Sequence, residues 1–208
     1  MINNHSLILV ALTIFSYLFG SIPSAYLAGK INSGIDIRQK GTGNMGATNI
    51  LIVIGPVLAV IVYSFDLLKG LIPVLLAKKI LGTDVSMGLA GLAAVLGHDF
   101  PVFLGFSGGK GVATMTGAMF GINAHIMWIL IMGWIIFSIA TNYFIIGSLI
   151  CMLLLPVLMY FFRMSNTYIL FGILYFLAGA FTHRKDVVRI FSGRGDKAFS
   201  SVKKYFSR

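Results

Sequence analysis

The sequence predicts an all-α, polytopic membrane protein of about seven transmembrane helices. Three observations predict it. Of the 208 residues, 58% are hydrophobic and 11% charged, against about 45–50% apolar and about 25% charged in soluble domains. Mean hydropathy is +0.93, and uncharged stretches near the roughly 20 residues that cross a bilayer recur along the whole chain. The few ionic groups are mostly of one sign: 16 Lys and Arg stand against 6 acids, all of them Asp, for a net +10. This composition excludes a soluble globular fold.

Apolar runs, broken at Gly, Pro and charge, place helices near 6–29, 48–77, 85–97, 112–124, 126–141, 143–162 and 165–181. The first Lys or Arg is Lys30; a cleaved signal peptide would open on a basic segment, so run 6–29 reads as a retained helix. The third and fourth runs are short for an upright crossing. They are tilted, half-inserted or lengthened by loop residues, and five or six full crossings also fit. Cys151 lies inside an apolar run, where a thiol behaves as a small hydrophobe. Residues 1–181 then form one integral membrane domain, and 182–208 a basic tail that contributes to the site.

Seven helices put loops 30–46 and 98–111 and the tail on one side. Those segments hold Lys30, Arg38, Lys40, Lys110 and eight tail cations, whereas the opposite loops hold Lys78, Lys79 and Arg163. Twelve against three makes the basic side cytoplasmic by the positive-inside rule, with the N-terminus outside and the C-terminus inside. The polar, glycine-rich sequence gathers in the same segments, as DIRQKGTGNMGATN, GHDFPVFLGFSGGKGVAT and THRKDVVRIFSGRGDK. Any chemistry belongs to that face. The last tail cations, Lys203, Lys204 and Arg208, read as an anchor to anionic lipid head groups.

Gly41-Thr42-Gly43-Asn44-Met45-Gly46 matches a dinucleotide fingerprint in letters only, because it lies between membrane helices and not inside a βαβ unit. Gly108-Gly109-Lys110-Gly111 departs from a P-loop at both ends. What the two loops share is glycine backbone leading into a helix, near Ala47 and near Val112. A helix N-terminus offers unpaired N–H groups and partial positive charge, and flexible glycines ahead of it can form an anion nest. Arg38 and Lys40 beside one loop, and Lys110 in the other, suit two phosphates or a phosphate and a carboxylate. The glycines equally fit tight turns and close helix packing. Asp66 and Lys69, one turn apart in a hydrophobic helix, read as a structural ion pair. His98 and His183 flank cytoplasmic helix ends and read as bases or phosphate donors; His5 and His125 fall on the outer side as solvated residues. A His-x4-Asp dyad and clustered metal ligands are missing and Cys151 is buried in a span, so neither a covalent acyl-enzyme nor a metal or cofactor is expected.

Gly20-Ser21-Ile22-Pro23, then Asp36-Ile37-Arg38 with GTGNMGATN at 41–49, Asp66-Leu-Leu-Lys69-Gly70, GHDFPVFLGFSGGKGVAT at 97–114 and His183-Arg184 occur in order along nearly the whole chain. In this the sequence resembles the bacterial acyl-phosphate-dependent glycerol-3-phosphate acyltransferases. The resemblance implies a seven-helix enzyme of the bacterial cytoplasmic membrane with a cytoplasm-facing site. Such an enzyme moves a fatty acyl group from acyl phosphate to the 1-position of sn-glycerol 3-phosphate, giving lysophosphatidic acid and phosphate. Its expected partners are those two substrates and membrane lipids, with no cofactor and no nucleic acid. The chain departs from the family pattern at Asp186-Val187, where Asn-Ile is usual, near Ile145, and at Gly195, where a glutamate is usual; the departures also fit a weakly active paralogue.

Under this resemblance Arg38, Lys110 and His183 are the expected catalytic residues. Arg38 with Thr42, Gly43, Asn44, Gly46 and Asn49 orients one phosphate. Lys110 with Ser107, Gly108, Gly109, Gly111 and Thr114 holds the other phosphate and the developing oxyanion. His183 binds phosphate or helps deprotonate the glycerol hydroxyl, and His98 shapes the second loop. Asp186 repels anionic substrates unless it pairs with Arg184, Lys185 or Arg189. Two other readings use the same residues: a small transporter or channel for anionic solutes, whose helix termini also bind anions, and a membrane scaffold without chemistry.

Overall fold

A computed structural model describes residues 4–195 and Lys197. The elements, in order, are α1 Asn4–Gly20, α2 Ser24–Ser33, a 3-10 turn at Ile37–Gln39, α3 Ala47–Val53, α4 Pro56–Ile80, α5 Asp84–Asp99, a second 3-10 turn at Val102–Leu104, α6 Val112–Ile122, α7 Ala124–Thr141, α8 Phe144–Phe161 and α9 Asn166–Phe191. All seven apolar runs are therefore helical. Among the described residues, five helical segments are long and apolar enough to cross a membrane: 4–33, 56–80, 84–104, 124–141 and 144–161; α6 is apolar but shorter. Large apolar side chains such as Val57, Ile136 and Phe161 face outward, as a lipid solvent requires.

Three boundaries differ from the sequence reading, each for a local reason. The run 6–29 breaks into α1 and α2 at Ser21–Pro23, because proline lacks the N–H that would continue the ladder and Ser24 N–H bonds back only to Ile22. The run 48–77 breaks at Gly55, whose φ of +144° only glycine adopts readily, and Pro56 opens α4. At the other end α9 continues ten residues past the expected 181, so the first part of the expected tail is helix. Lys203, Lys204 and Arg208, the expected lipid anchor, lie outside the described residues.

Two helix crossings position the polar face, and both are built from reciprocal glycines. In the α1–α5 crossing, a Cβ on Gly20 would strike the Ala94 carbonyl and one on Gly97 would strike that of Tyr17. In the α4–α6 crossing, Gly70 lies on the Thr114 carbonyl and Gly117 on that of Leu67. Lipid tails supply no hydrophobic drive between helices, so close backbone approach and dispersion hold such crossings. Gly117→Val is expected to lower the thermal midpoint of the detergent-solubilised protein sharply, at a cost of about 3 kcal/mol. An unchanged midpoint would refute the tight-crossing account. Two apolar clusters fill the remainder. The larger joins α4–α9 around Val74, Met119, Leu155 and Tyr175, and the smaller, with Ala25, Ile37, Met45 and Ile50, sits under the first glycine loop.

Candidate active site

The first glycine loop is held by one side chain. Asn49 is fully buried on α3; its Oδ1 accepts the Thr42 N–H at 2.8 Å, and its Nδ2 lies 3.0 Å from the carbonyl oxygens of Ile37, Lys40 and Asn44. The Asn44 N–H turns to Thr42 Oγ1 and the Gly43 N–H to the Lys40 carbonyl. Gly41 and Gly43 sit at φ +59° and +73°, and a Cβ on Gly41 would strike Asn49. These three N–H groups therefore tie the loop to itself. The helix that follows, α3, has only seven residues, so its terminal dipole is correspondingly small. The cations beside this loop are Arg38 and Lys40.

Arg38 is oriented by a bidentate pair. Its Nε and Nη2 donate to the two carboxylate oxygens of Asp36 at 3.0 and 2.7 Å, and its guanidinium lies 5.2 Å from the Tyr26 ring centroid. The Arg38 side chain, hydrogen-bonded to Asp36, lowers that carboxyl from its usual value to about 2. A depressed carboxyl pKa means a pair that is fully formed above the usual carboxylate range, near pH 4, and lost only as pH falls toward 2. Arg38 is thus held in place throughout the neutral range. It lines an open cleft of about 350 Å³ together with Asp36, Gln39, Gly43, Met45, Ser107 and Gly108. Both glycine loops border this one cleft.

Two residues beyond Gly108, Lys110 Nζ lies 2.6 Å from Asp186 Oδ2, with the side chains 21% and 15% exposed. Asp186, which repels anionic substrates unless a cation pairs with it, is paired with Lys110, while Arg184 caps the Phe181 carbonyl and stacks on the Phe181 ring. His183, one turn before Asp186 on α9, is buried. Its Nδ1 is 2.8 Å from the Gly179 carbonyl. A carbonyl only accepts, so the proton sits on Nδ1 and leaves Nε2 as the ring's acceptor. His183 is also within electrostatic reach of Lys110 and Asp186.

Behind the second loop stands a buried polar cluster. Asp66 Oδ1 accepts from Ser24 Oγ at 2.5 Å and from Lys69 Nζ at 2.7 Å, and His98 Nδ1 lies 3.5 Å away. The expected ion pair is present, with two further members contributed by α2 and α5. His98 also holds the loop, because its carbonyl accepts the Gly109 N–H at 3.0 Å. Gly111, at φ +67°, caps the N-terminus of α6. Gly46 opens α3. Thr114 is fully buried at the α4–α6 crossing and is not one of the cleft-lining residues. Sequence reasoning missed Asp36, whose short spacing to Arg38 was a usable signal, and Asp99, a buried carboxyl beside Gly111. Among the described residues, no group of three or more His, Cys, Asp or Glu is placed to hold a metal ion.

Helices of this length and composition, with two glycine loops and the separate cations Arg38 and Lys110 beside them, define an integral membrane protein. The glycerol-3-phosphate acyltransferase family model matches residues 10–193. A glycerol-3-phosphate acyltransferase of Thermotoga petrophila is 38% identical over 180 residues, covering 86% of this chain and 91% of that one. Another, from Francisella tularensis subsp. holarctica, is 36% identical over 195 residues, covering 90% and 94%. The crystal structure of PlsY (YgiH), an integral membrane glycerol 3-phosphate acyltransferase, superposes in its glycerol 3-phosphate form with a TM-score of 0.87 at 33% identity, covering 91% of this chain and 94% of that one. Its lysophosphatidic acid form gives a TM-score of 0.86 at 31% identity, covering 93% and 98%. The chain belongs to the glycerol-3-phosphate acyltransferase family.

Proposed function

We propose that the protein transfers a fatty acyl group from acyl phosphate to the 1-hydroxyl of sn-glycerol 3-phosphate at the cytoplasmic face of a bacterial cytoplasmic membrane. One observation carries the reading: a single cleft bordered by both glycine loops, with Arg38 in its lining and Lys110 two residues beyond its rim. Both substrates bear phosphate and both need a cation. In the reaction the glycerol oxygen attacks the acyl carbon, the ester C–O bond forms, and the bond from that carbon to the phosphate oxygen breaks. Acyl phosphate is a mixed anhydride with phosphate as leaving group, so positioning and charge stabilisation supply most of the catalysis and no acyl-enzyme is needed.

Arg38 orients one phosphate from the first loop, while Lys110, set by Gly108, Gly109 and Gly111, holds the other and the charge developing on the carbonyl oxygen. His183 Nε2 takes the hydroxyl proton or hands it to the departing phosphate. Asn49 and Thr42 act by holding the first loop. Residues 4–191 serve as one membrane unit, with the end of α9 delivering His183 and Asp186. The test is direct. Purified protein given acyl phosphate is expected to release phosphate and form lysophosphatidic acid only when glycerol 3-phosphate is present. Solute uptake into proteoliposomes without that product would establish the transporter reading instead.

Asp186 competes with substrate phosphate for Lys110. Asp186→Asn keeps a polar partner and removes the charge, so the KM of the substrate that Lys110 holds is expected to fall about 3- to 10-fold, near 1 kcal/mol for a partly exposed pair. KM values for both substrates check this. A large loss of kcat would give Asp186 a direct part in the chemistry.

A further inference from the structure

Between α2, α4 and α5 lies a buried cluster that the proposed reaction does not use. Asp66 and Lys69 are 2% and 1% exposed. Charges so far inside a helical membrane protein are costly and are kept where they do something. Asp66 Oδ1 gathers Ser24 Oγ, Lys69 Nζ and, at 3.5 Å, His98 Nδ1, and so faces one imidazole edge. The opposite edge faces the second glycine loop: a Cβ built on Gly109 would strike His98 Nε2. The His98 carbonyl meanwhile accepts the Gly109 N–H at 3.0 Å. Residue 109 is gripped by both the backbone and the ring of His98, and residue 110 is the loop lysine.

We infer that Asp66 and His98 are positioning residues: Asp66 sets the imidazole, the imidazole edge sets Gly109, and Gly109 sets Lys110. His98 then acts through the loop and not on a substrate phosphate, and the glycine at 109 is required by the ring behind it. The inference rests on the acyltransferase reading above.

A double-mutant cycle tests it. Gly109→Ala drives a methyl into the imidazole and is expected to lower kcat about 100-fold, and His98→Ala about 10-fold, through loss of loop placement. With the ring gone the methyl has room, so His98→Ala/Gly109→Ala is expected to be no slower than Gly109→Ala alone, and faster by about 10-fold. Strictly additive losses would overturn the inference. Asp66 is tested as Asp66→Asn/Lys69→Met, which removes both buried charges together and leaves none unpaired. Its thermal midpoint is expected to stay within a few degrees of the parent while kcat falls about 10-fold; an unchanged kcat in the folded variant would overturn the Asp66 step. Should that variant not fold, the His98–Gly109 cycle still decides the rest. Wild-type protein that forms no lysophosphatidic acid would instead end the acyltransferase reading, so the two failures are distinguishable.

Discussion

Lys110→Ala is expected to reduce turnover with acyl phosphate and glycerol 3-phosphate by about 10³-fold, the loss seen when a preorganised charge-stabilising donor is removed from a reaction centre. The lysine is pre-placed. Its loop is cinched by the Gly109 N–H to His98 carbonyl bond and by Gly108, where a Cβ would strike the His98 and Asp99 carbonyls. Its ammonium waits against Asp186 at 2.6 Å. The fold does not depend on it, because a partly exposed pair contributes at most about 1 kcal/mol. Melting should therefore shift by no more than a few degrees while phosphate release falls about 10³-fold. Lys110→Arg keeps charge on a longer, planar group and is expected to recover only part of the rate. Near-normal turnover of Lys110→Ala would remove the lysine from the mechanism.

The same lysine shows where sequence reasoning ran out. Its loop, its charge and its place ahead of α6 were legible because they are local: glycines, one cation, then an apolar run. Its partner was not. Asp186 is separated from it by α6, α7, α8 and most of α9, and the tail cations beside Asp186 were the nearer choice in sequence; the packing of α9 against α5 brings it to Lys110. The helix breaks at Pro23 and Gly55-Pro56 carried readable stop signals, but hydropathy summed over a window passes straight through them. The reverse happened at residue 181. Charge suggested that the helix ended, yet a helix leaving an apolar environment continues where its polar residues find partners, as His183 does with the Gly179 carbonyl and Arg184 with that of Phe181. The first loop taught a further limit. Its scaffold, Asn49, which takes the Thr42 N–H and bridges three loop carbonyls, reads in the sequence as one more polar letter of the motif.

Arg38→Ala is expected to cost about 10²- to 10³-fold in kcat/KM, with Arg38→Lys recovering no more than about a tenth of the parent value. The difference follows from geometry. Two of the guanidinium nitrogens, Nε and Nη2, are committed to Asp36 and the plane lies near Tyr26, so the remaining nitrogen is fixed in direction while the charge stays shared over the group. A lysine ammonium can satisfy Asp36 or a phosphate in the cleft, and one compact charge on a flexible stem does not do both. Asp36→Asn separates orientation from charge. It leaves the guanidinium intact, removes the ionised carboxylate that aims it, and is expected to lower kcat about 10-fold with little change in melting. If Arg38→Lys and Asp36→Asn were both as active as the parent, Arg38 would be a surface charge beside the cleft, and the anion held by the first loop would have to be met by Lys40 or by the backbone that Asn49 now keeps occupied.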